Sequence, residues 1–299
     1  MLAQTENRVR IEGILSEINL EPKTFKKNGA DVNAIGGFIK VRVDQSANGS
    51  ISSLEIPVHM FASEYTNKGT TNPAYESISK VMKEFSSIAA VGLDLADRIR
   101  ITGAQITMNE YYGQNGTLIS FPRITASFVN KIRKEECKPS ATFEAVFAVG
   151  SMGYEVDKDG VETEKYKISA LLPQYGGKID IVPFYASNKN VAESIQSYWS
   201  VGDTVRAHGR LNFTSSIETV TTQLGFGEST EQTRTISISE LLITAGKPEP
   251  LEGEFALDQN ELQTALSERK TRLAALKEKG TAGQAPAKGS TNKFKDLGF

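Results

Sequence analysis

Short runs of alternating apolar and polar residues fill most of the chain, the pattern of strands with one buried face. In Arg8–Leu15 the apolar positions Val9, Ile11 and Leu15 alternate, with Gly13 between them. The run Phe143–Val149 alternates in the same way. Further features recur in the same order after each of these runs, which indicates a duplicated, mainly β protein.

Each half continues with two more strand-like runs, one stretch of helical spacing and two last strands. The paired runs are Phe38–Val43 with Leu54–Met60, and Lys165–Ala170 with Lys178–Phe184; the helical stretches are Tyr75–Phe85 and Asn190–Trp199. After each helix comes an Asp turn and then a strand that contains a glycine, Gly103 or Gly209. A glycine in a strand permits a sharp bend, as at a barrel corner.

The order strand, strand, strand, helix, strand, strand is that of the OB barrel. We therefore predict two tandem OB-type five-stranded β-barrels, each with one helix, over residues 1–135 and 136–247. Two unrelated β-sandwiches are the alternative, and the helix at the same place in each half argues against them. Residues 248–299 are predicted to form a C-terminal helix over Asp258–Lys277, a disordered linker over Gly280–Asn292 and a terminal peptide.

Composition excludes several classes of function. No stretch approaches the roughly 20 apolar residues of a membrane span, and the N-terminus lacks a signal-peptide pattern, so we expect a soluble cytoplasmic protein. Cys137, His59 and His208 are too few for a zinc site, and a lone cysteine forms no intrachain disulfide. We find no phosphate-cradling glycine motif and no acid–base pair. The sequence therefore predicts a non-enzymatic protein without metal or cofactor.

Charge is distributed unevenly along the chain. Residues 1–135 carry 16 basic against 14 acidic residues, a net charge of +2, whereas residues 136–247 carry 10 against 14, a net charge of −4. The first half is therefore the better candidate to bind a polyanion, through a local patch rather than through bulk charge.

Three blocks of the second half carry a family resemblance. The strand Ile179–Tyr185, the helix Ala192–Trp199 and the turn and strand Val201–Leu211 resemble bacterial and phage single-stranded DNA-binding proteins. The resemblance implies binding of single-stranded DNA in replication or recombination. It also implies that a tail ending in Phe299 docks onto partner proteins of those processes. Tandem barrels and a tip of mixed charge depart from the bacterial pattern and suggest a viral relative, which would place the protein in the host cytoplasm.

Candidate binding residues follow from the alternation and from what a strand binder needs, namely cations for phosphates and rings for bases. Residues predicted to face outward on strands, to sit at hairpin turns or to lie in an exposed loop are Arg8, Arg10, Phe38, Lys40, Arg42, Tyr111, Tyr112, Arg123, Lys165, Lys167 and Phe226. Those predicted to dock the tail are Phe294, Leu297 and Phe299. Tyr166 and Trp199 are expected in the core. For the outward cations a solvated edge remains the alternative.

Two other functions fit the same fold. An adaptor protein would use the barrels to contact proteins, a role that the acidic second half favours. An RNA-binding protein would share the fold as well. The sequence leaves open whether the chain forms a homo-oligomer.

Overall fold

The structure is a computed structural model that describes residues 2–27, 29–47, 50–113, 115–157, 159–222 and 230–282. Within these ranges the chain is mainly β, as predicted. The strands are β1 (Asn7–Lys27), β2 (Ala30–Ala47), β3 (Ser50–Ser63), β4 (Arg98–Tyr112), β5 (Leu118–Thr125), β6 (Asn130–Ile132), β7 (Ser140–Val156), β8 (Glu162–Pro173), β9 (Ile179–Ala186), β10 (Thr204–Thr222) and β11 (Thr230–Gly246). The helices are α1 (Pro73–Glu84), α2 (Ile88–Val91), α3 (Lys189–Tyr198) and α4 (Gln259–Ala282).

The predicted element order is found in both halves, with the short α2 and β6 added in the first. Strand pairing follows one scheme twice. In the first half β1 pairs with β2, β2 with β3, β3 in parallel with β5, β5 with β4, and β4 with β1. In the second half β7 pairs with β8, β8 with β9, β9 in parallel with β11, β11 with β10, and β10 with β7. The pairing thus returns to its first strand in each half.

The two halves are joined through their first strands. Asn7–Glu12 of β1 pairs antiparallel with Ser140–Ala145 of β7. All eleven described strands therefore belong to one sheet, and a single buried apolar cluster extends through both halves. The predicted core residues Tyr166 and Trp199 lie in this cluster.

The helices α1 and α3 form where the spacing predicted them. Each begins at an asparagine whose side chain accepts a backbone N–H: Asn72 from Ala74 at 3.0 Å, and Asn188 from Val191 at 3.0 Å. Pro73 occupies the first turn of α1, where its missing donor costs nothing.

Helix α4 begins one residue after the predicted start and continues beyond the predicted end at Lys277. Its first turns bury Leu262 and Ala265 against Leu2. Further along, α4 contacts β4 of the first half and β9 of the second. The C-terminal helix is thus packed across both halves. None of the described helices combines the length and apolar character needed to cross a membrane.

The glycines Gly103 and Gly209, predicted to play the same part in the two halves, have different surroundings. A Cβ at Gly209 would lie 2.2 Å from the carbonyl oxygen of Leu242 and 2.3 Å from Cζ of Phe143. A Cβ at Gly103 would have nothing within 4 Å. Gly209 is therefore required by the close approach of a strand and a ring, whereas Gly103 lies at an open surface.

Candidate nucleic-acid interface

The outer surface of β2 and β3 carries rings and cations because their inward positions are filled by the core. Ile39 and Val41 of β2 are fully buried, so Phe38 and Lys40 face outward. The backbone of His59 on β3 pairs with that of Phe38, and the two rings lie 5.9 Å apart at 56°. This places an aromatic pair across the two strands, with Lys40 Nζ 5.7 Å from the centre of the Phe38 ring.

A second aromatic pair lies beside the first. Phe25 and Phe61 have ring centres 6.0 Å apart at 42°, and Phe61 is 58% exposed. Gly36 pairs with Phe61 across the strands, and a Cβ at Gly36 would lie 2.9 Å from the Phe61 ring. The glycine thus lets the ring lie flat across β2. Exposed rings of this kind are suited to stacking on bases.

A third aromatic pair lies on the β4–β5 hairpin. The register pairs Tyr111 with Ile119 and Thr107 with Arg123, so alternation places Tyr111, Phe121 and Arg123 on one face of the hairpin. Tyr111 and Phe121 meet edge to face, with ring centres 6.4 Å apart. Tyr112 points to the opposite face and is half-buried, so the structure separates the two neighbouring tyrosines.

Arg123 lies between these aromatic pairs. Its Nε is buried without a hydrogen-bond partner, and it forms no ion pair with any residue in the described ranges. Burial lowers the pKa of the Arg123 guanidinium. Burial, and then the charge of Arg123, lower the pKa of His59 to about 4, which keeps the imidazole neutral at pH 7.

A cavity of about 570 Å³ opens at this point of the surface. It is lined by Lys23, His59, Phe61, Gln105, Arg123 and Thr125, together with glycines 36, 37 and 103. We call the surface formed by Phe25, Phe38, His59, Phe61, Arg123, Phe121 and Tyr111 the aromatic–arginine face. This face combines rings that can stack on bases with a cation that can bind a phosphate.

Several predicted cations of the first half lie against carboxylates. Lys40 is 2.6 Å from Glu17, and Arg42 is 2.8 Å from Asp44. Such pairing reduces the charge that these side chains offer to a phosphate.

The two arginines of β1 have different surroundings. Arg8 is 3.8 Å from Glu6 and lines a neighbouring cavity with Gly103 and Gln105. Arg10 is exposed and has no ion pair within the described part of the chain.

The corresponding surface of the second half carries carboxylates. On β8 and β9, Lys167 pairs with Tyr185 as Phe38 pairs with His59. A cavity of about 720 Å³ there is lined by Tyr185, Lys165 and the glutamates 162, 164 and 240. Lys165 is 2.5 Å from Glu240, and Lys167 is 3.8 Å from Glu155. The cations predicted for this half are therefore paired within the protein, and burial with nearby carboxylates raises the pKa of Tyr185 to about 12.

Other predicted residues lie outside the described ranges: Phe226 of the long loop and the tail residues Phe294, Leu297 and Phe299. Conversely, the sequence analysis did not select Phe25, Phe61 or Lys23, and it treated His59 as incidental. The alternation in Leu54–Met60 could have identified His59, since Val58 and Met60 face inward. Within the described residues no three histidine, cysteine or carboxylate side chains are placed to hold a metal ion.

Comparisons with known proteins give a family and several similar solved structures, including two of one protein. The wild-type single-stranded DNA-binding protein from Thermus aquaticus matches with a TM-score of 0.47 and 10% identity, over 84% of this chain and 96% of that one. A deletion mutant of the same protein matches with a TM-score of 0.46 and 10% identity, over 84% and 97%. No curated protein matches the chain. The YorF family model matches residues 5–279, and the chain therefore belongs to the YorF family.

Proposed function

We propose that the protein binds single-stranded DNA through the aromatic–arginine face of its first half, with weak sequence preference. The observation that carries this proposal is the placement of Arg123, partly buried and without an ion-pair partner in the described residues, between three aromatic pairs on one surface. Stacking of a base on a ring contributes about 1–3 kcal/mol and tolerates any base. Phosphate contacts add affinity without reading sequence.

We further assign each half to the OB type of barrel. This assignment is supported by the pairing scheme, in which the third and fifth strands are parallel and the fourth strand returns to the first. OB barrels bind oligonucleotides on the face of strands 2 and 3. In the first half that face is formed by β2 and β3, which carry Phe38, His59 and Phe61.

The proposed role is protection of single strands during DNA replication or recombination, without a catalytic step. The resemblance of Ile179–Tyr185 and Val201–Leu211 to bacterial and phage strand binders supports it. We propose that the protein acts in the cytoplasm, that of the host if the chain is viral, and that the terminal peptide recruits partner proteins.

A second role is favoured for the second half by a separate observation. Its corresponding cavity is lined by glutamates 162, 164 and 240, and its lysines are paired with carboxylates. Such a surface repels phosphates and suits contact with a protein. We therefore propose that the second half contributes little to DNA affinity and serves as the adaptor part of the chain.

The test is a fluorescence anisotropy titration of the full chain with labelled oligo-dT, duplex DNA and RNA of equal length. We expect the tightest binding to oligo-dT, with affinity falling steeply as salt rises. Equal or tighter binding to duplex would overturn the proposal, as would absence of binding at low salt. Tighter binding to RNA than to DNA would show that the protein is an RNA-binding protein instead.

A further inference from the structure

Granted the single-strand binding proposed above, we infer that the cavity beside Arg123 holds one nucleotide unit, its phosphate on Arg123 and its base on Phe61. This site would be the part of the face that selects single strands over duplex.

Arg123 is the cation of this face that lacks a counter-charge within the described residues. Lys23 lies 3.3 Å from Glu21, Lys40 2.6 Å from Glu17 and Arg42 2.8 Å from Asp44. Arg123 is partly buried, and its Nε is buried without a hydrogen-bond partner. A polar atom buried without a partner is unfavourable, and a phosphate oxygen in the cavity would supply the missing acceptor.

The cavity has the size and walls for a nucleotide. Its volume is about 570 Å³, within the usual range for small-ligand sites. The Phe61 ring forms one wall and is held across Gly36, while His59, neutral at pH 7, lies beside Arg123. Gly37 and Gly103 also line the cavity and have no side chains to fill it.

The site would select single strands over duplex because it must bind a phosphate on Arg123 and a base on Phe61 at the same time. A base can lie on the Phe61 ring only after it has left its neighbours, since a duplex keeps its bases stacked and paired between the backbones. Unstacking and unpairing a base in a duplex costs a few kcal/mol, whereas a single strand exposes its bases already. A duplex could place a phosphate on Arg123 but would leave Phe61 without a base.

The described residues of the second half do not form an equivalent of this site. The residue that corresponds to His59 by register is Tyr185, and Lys165, which lies 5.9 Å from that ring, is 2.5 Å from Glu240. The cation is thus already matched by a carboxylate. We therefore assign one nucleotide site of this kind to each chain.

The experiment measures dissociation constants of full-length variants for a 15-nucleotide oligo-dT and a 15-base-pair duplex at several salt concentrations. The variants are Arg123→Gln and Phe61→Ala. Arg133→Gln is the matched charge control, an exposed arginine paired with Glu136. Phe255→Ala is the matched ring control, since Phe255 is 69% exposed and does not line the cavity.

We expect Arg123→Gln to weaken oligo-dT binding by about 10- to 100-fold and to reduce the salt slope by about 0.7. Phe61→Ala should weaken oligo-dT binding by at least about 5-fold without changing the slope or the duplex affinity. Phe61→Ala should lower the ratio of single-strand to duplex affinity, because only a single strand places a base on Phe61, and both controls should leave the ratio unchanged. Thermal melting of each variant verifies that it is folded, and Arg123→Lys, which keeps the charge, should retain most of the salt slope.

The site is refuted if folded Arg123→Gln and Phe61→Ala bind oligo-dT like their controls while the wild type binds it tightly. It is also refuted if Phe61→Ala loses single-strand and duplex affinity in equal proportion. Absence of oligo-dT binding by the wild type instead refutes the proposed function, so the two failures are distinguishable.

Discussion

Replacing Glu110 with glutamine should destabilise the protein strongly, because Glu110 is the centre of a buried ionic cluster between the halves. Its side chain is 6% exposed and accepts a hydrogen bond from Arg269 of α4, which is 14% exposed. Arg272 lies 3.7 Å from Glu110 and 3.9 Å from Asp180 of β9. Asp180 also accepts the backbone N–H of Met108 at 3.0 Å. The cluster therefore joins β4, β9 and α4.

The size of the expected loss of stability follows from the burial of the Glu110–Arg269 ion pair. Glutamine keeps the shape but leaves the Arg269 guanidinium buried without a counter-charge, and its Nε already lacks a partner. Removing one partner of a buried pair costs about 3–5 kcal/mol. We expect about 3 kcal/mol, the lower end, because Arg272 is 35% exposed and Asp180 remains nearby. The double variant Glu110→Leu/Arg269→Met removes both charges and should recover most of this loss.

The assay is urea unfolding, followed by the fluorescence of Trp199, the single tryptophan of the chain, and by circular dichroism. Arg133→Gln, which breaks an exposed pair with Glu136, serves as the control and should cost less than about 1 kcal/mol. A loss below about 1 kcal/mol in Glu110→Gln would refute the reasoning. A double variant less stable than the single one would do the same.

Two further predictions concern stability. Gly209→Ala should lower the melting temperature by several degrees because the added Cβ would clash with Phe143. Gly103→Ala should leave the melting temperature nearly unchanged because a Cβ there meets open space. Equal effects of the two changes in thermal melts would contradict the packing around Gly209. The pKa of His59 falls from 6.5 to about 4 on folding, so the folded state favours the neutral imidazole. The stability that this preference leaves intact above pH 6.5 is therefore lost as the pH falls towards 4. His59→Gln should reduce this loss of stability at acid pH, by less than the full shift implies because the imidazole is only half-buried. Urea midpoints of variant and wild type that fall in parallel between pH 7 and pH 4 would refute the shift.

The alternation of apolar residues predicted the strands and the repeat well because burial of one strand face is a local constraint. It placed Val9 and Ile11 in the core and Phe38 and Lys40 outside, as the structure does. The helices α1 and α3 have their N-caps at Asn72 and Asn188, close to the predicted starts. Helical spacing and helix capping both depend on residues near each other in the sequence.

Pairing between distant residues could not be predicted in this way. Lys40 faces outward as expected, yet its charge is matched by Glu17 of the adjacent strand. The cluster of Glu110 with Arg269 joins positions 159 residues apart. Phe25 was missed because it lies where β1 extends as a hairpin arm with β2, beyond the strand that alternation identified.

The comparison of the two halves shows that net charge does not describe the local charge of a surface. The first half has a net charge of only +2, but its aromatic–arginine face leaves Arg123 without a counter-charge in the described residues and exposes rings around it. The second half has a net charge of −4 and a comparable strand frame, but Glu240 matches Lys165. The two halves therefore share one strand-pairing scheme but differ in the carboxylates beside their cations, and this difference would determine which half can accept a phosphate. Because β1 and β7 are hydrogen-bonded, the acidic half is held beside the half proposed to bind DNA, where its carboxylates would repel the phosphates of a bound strand.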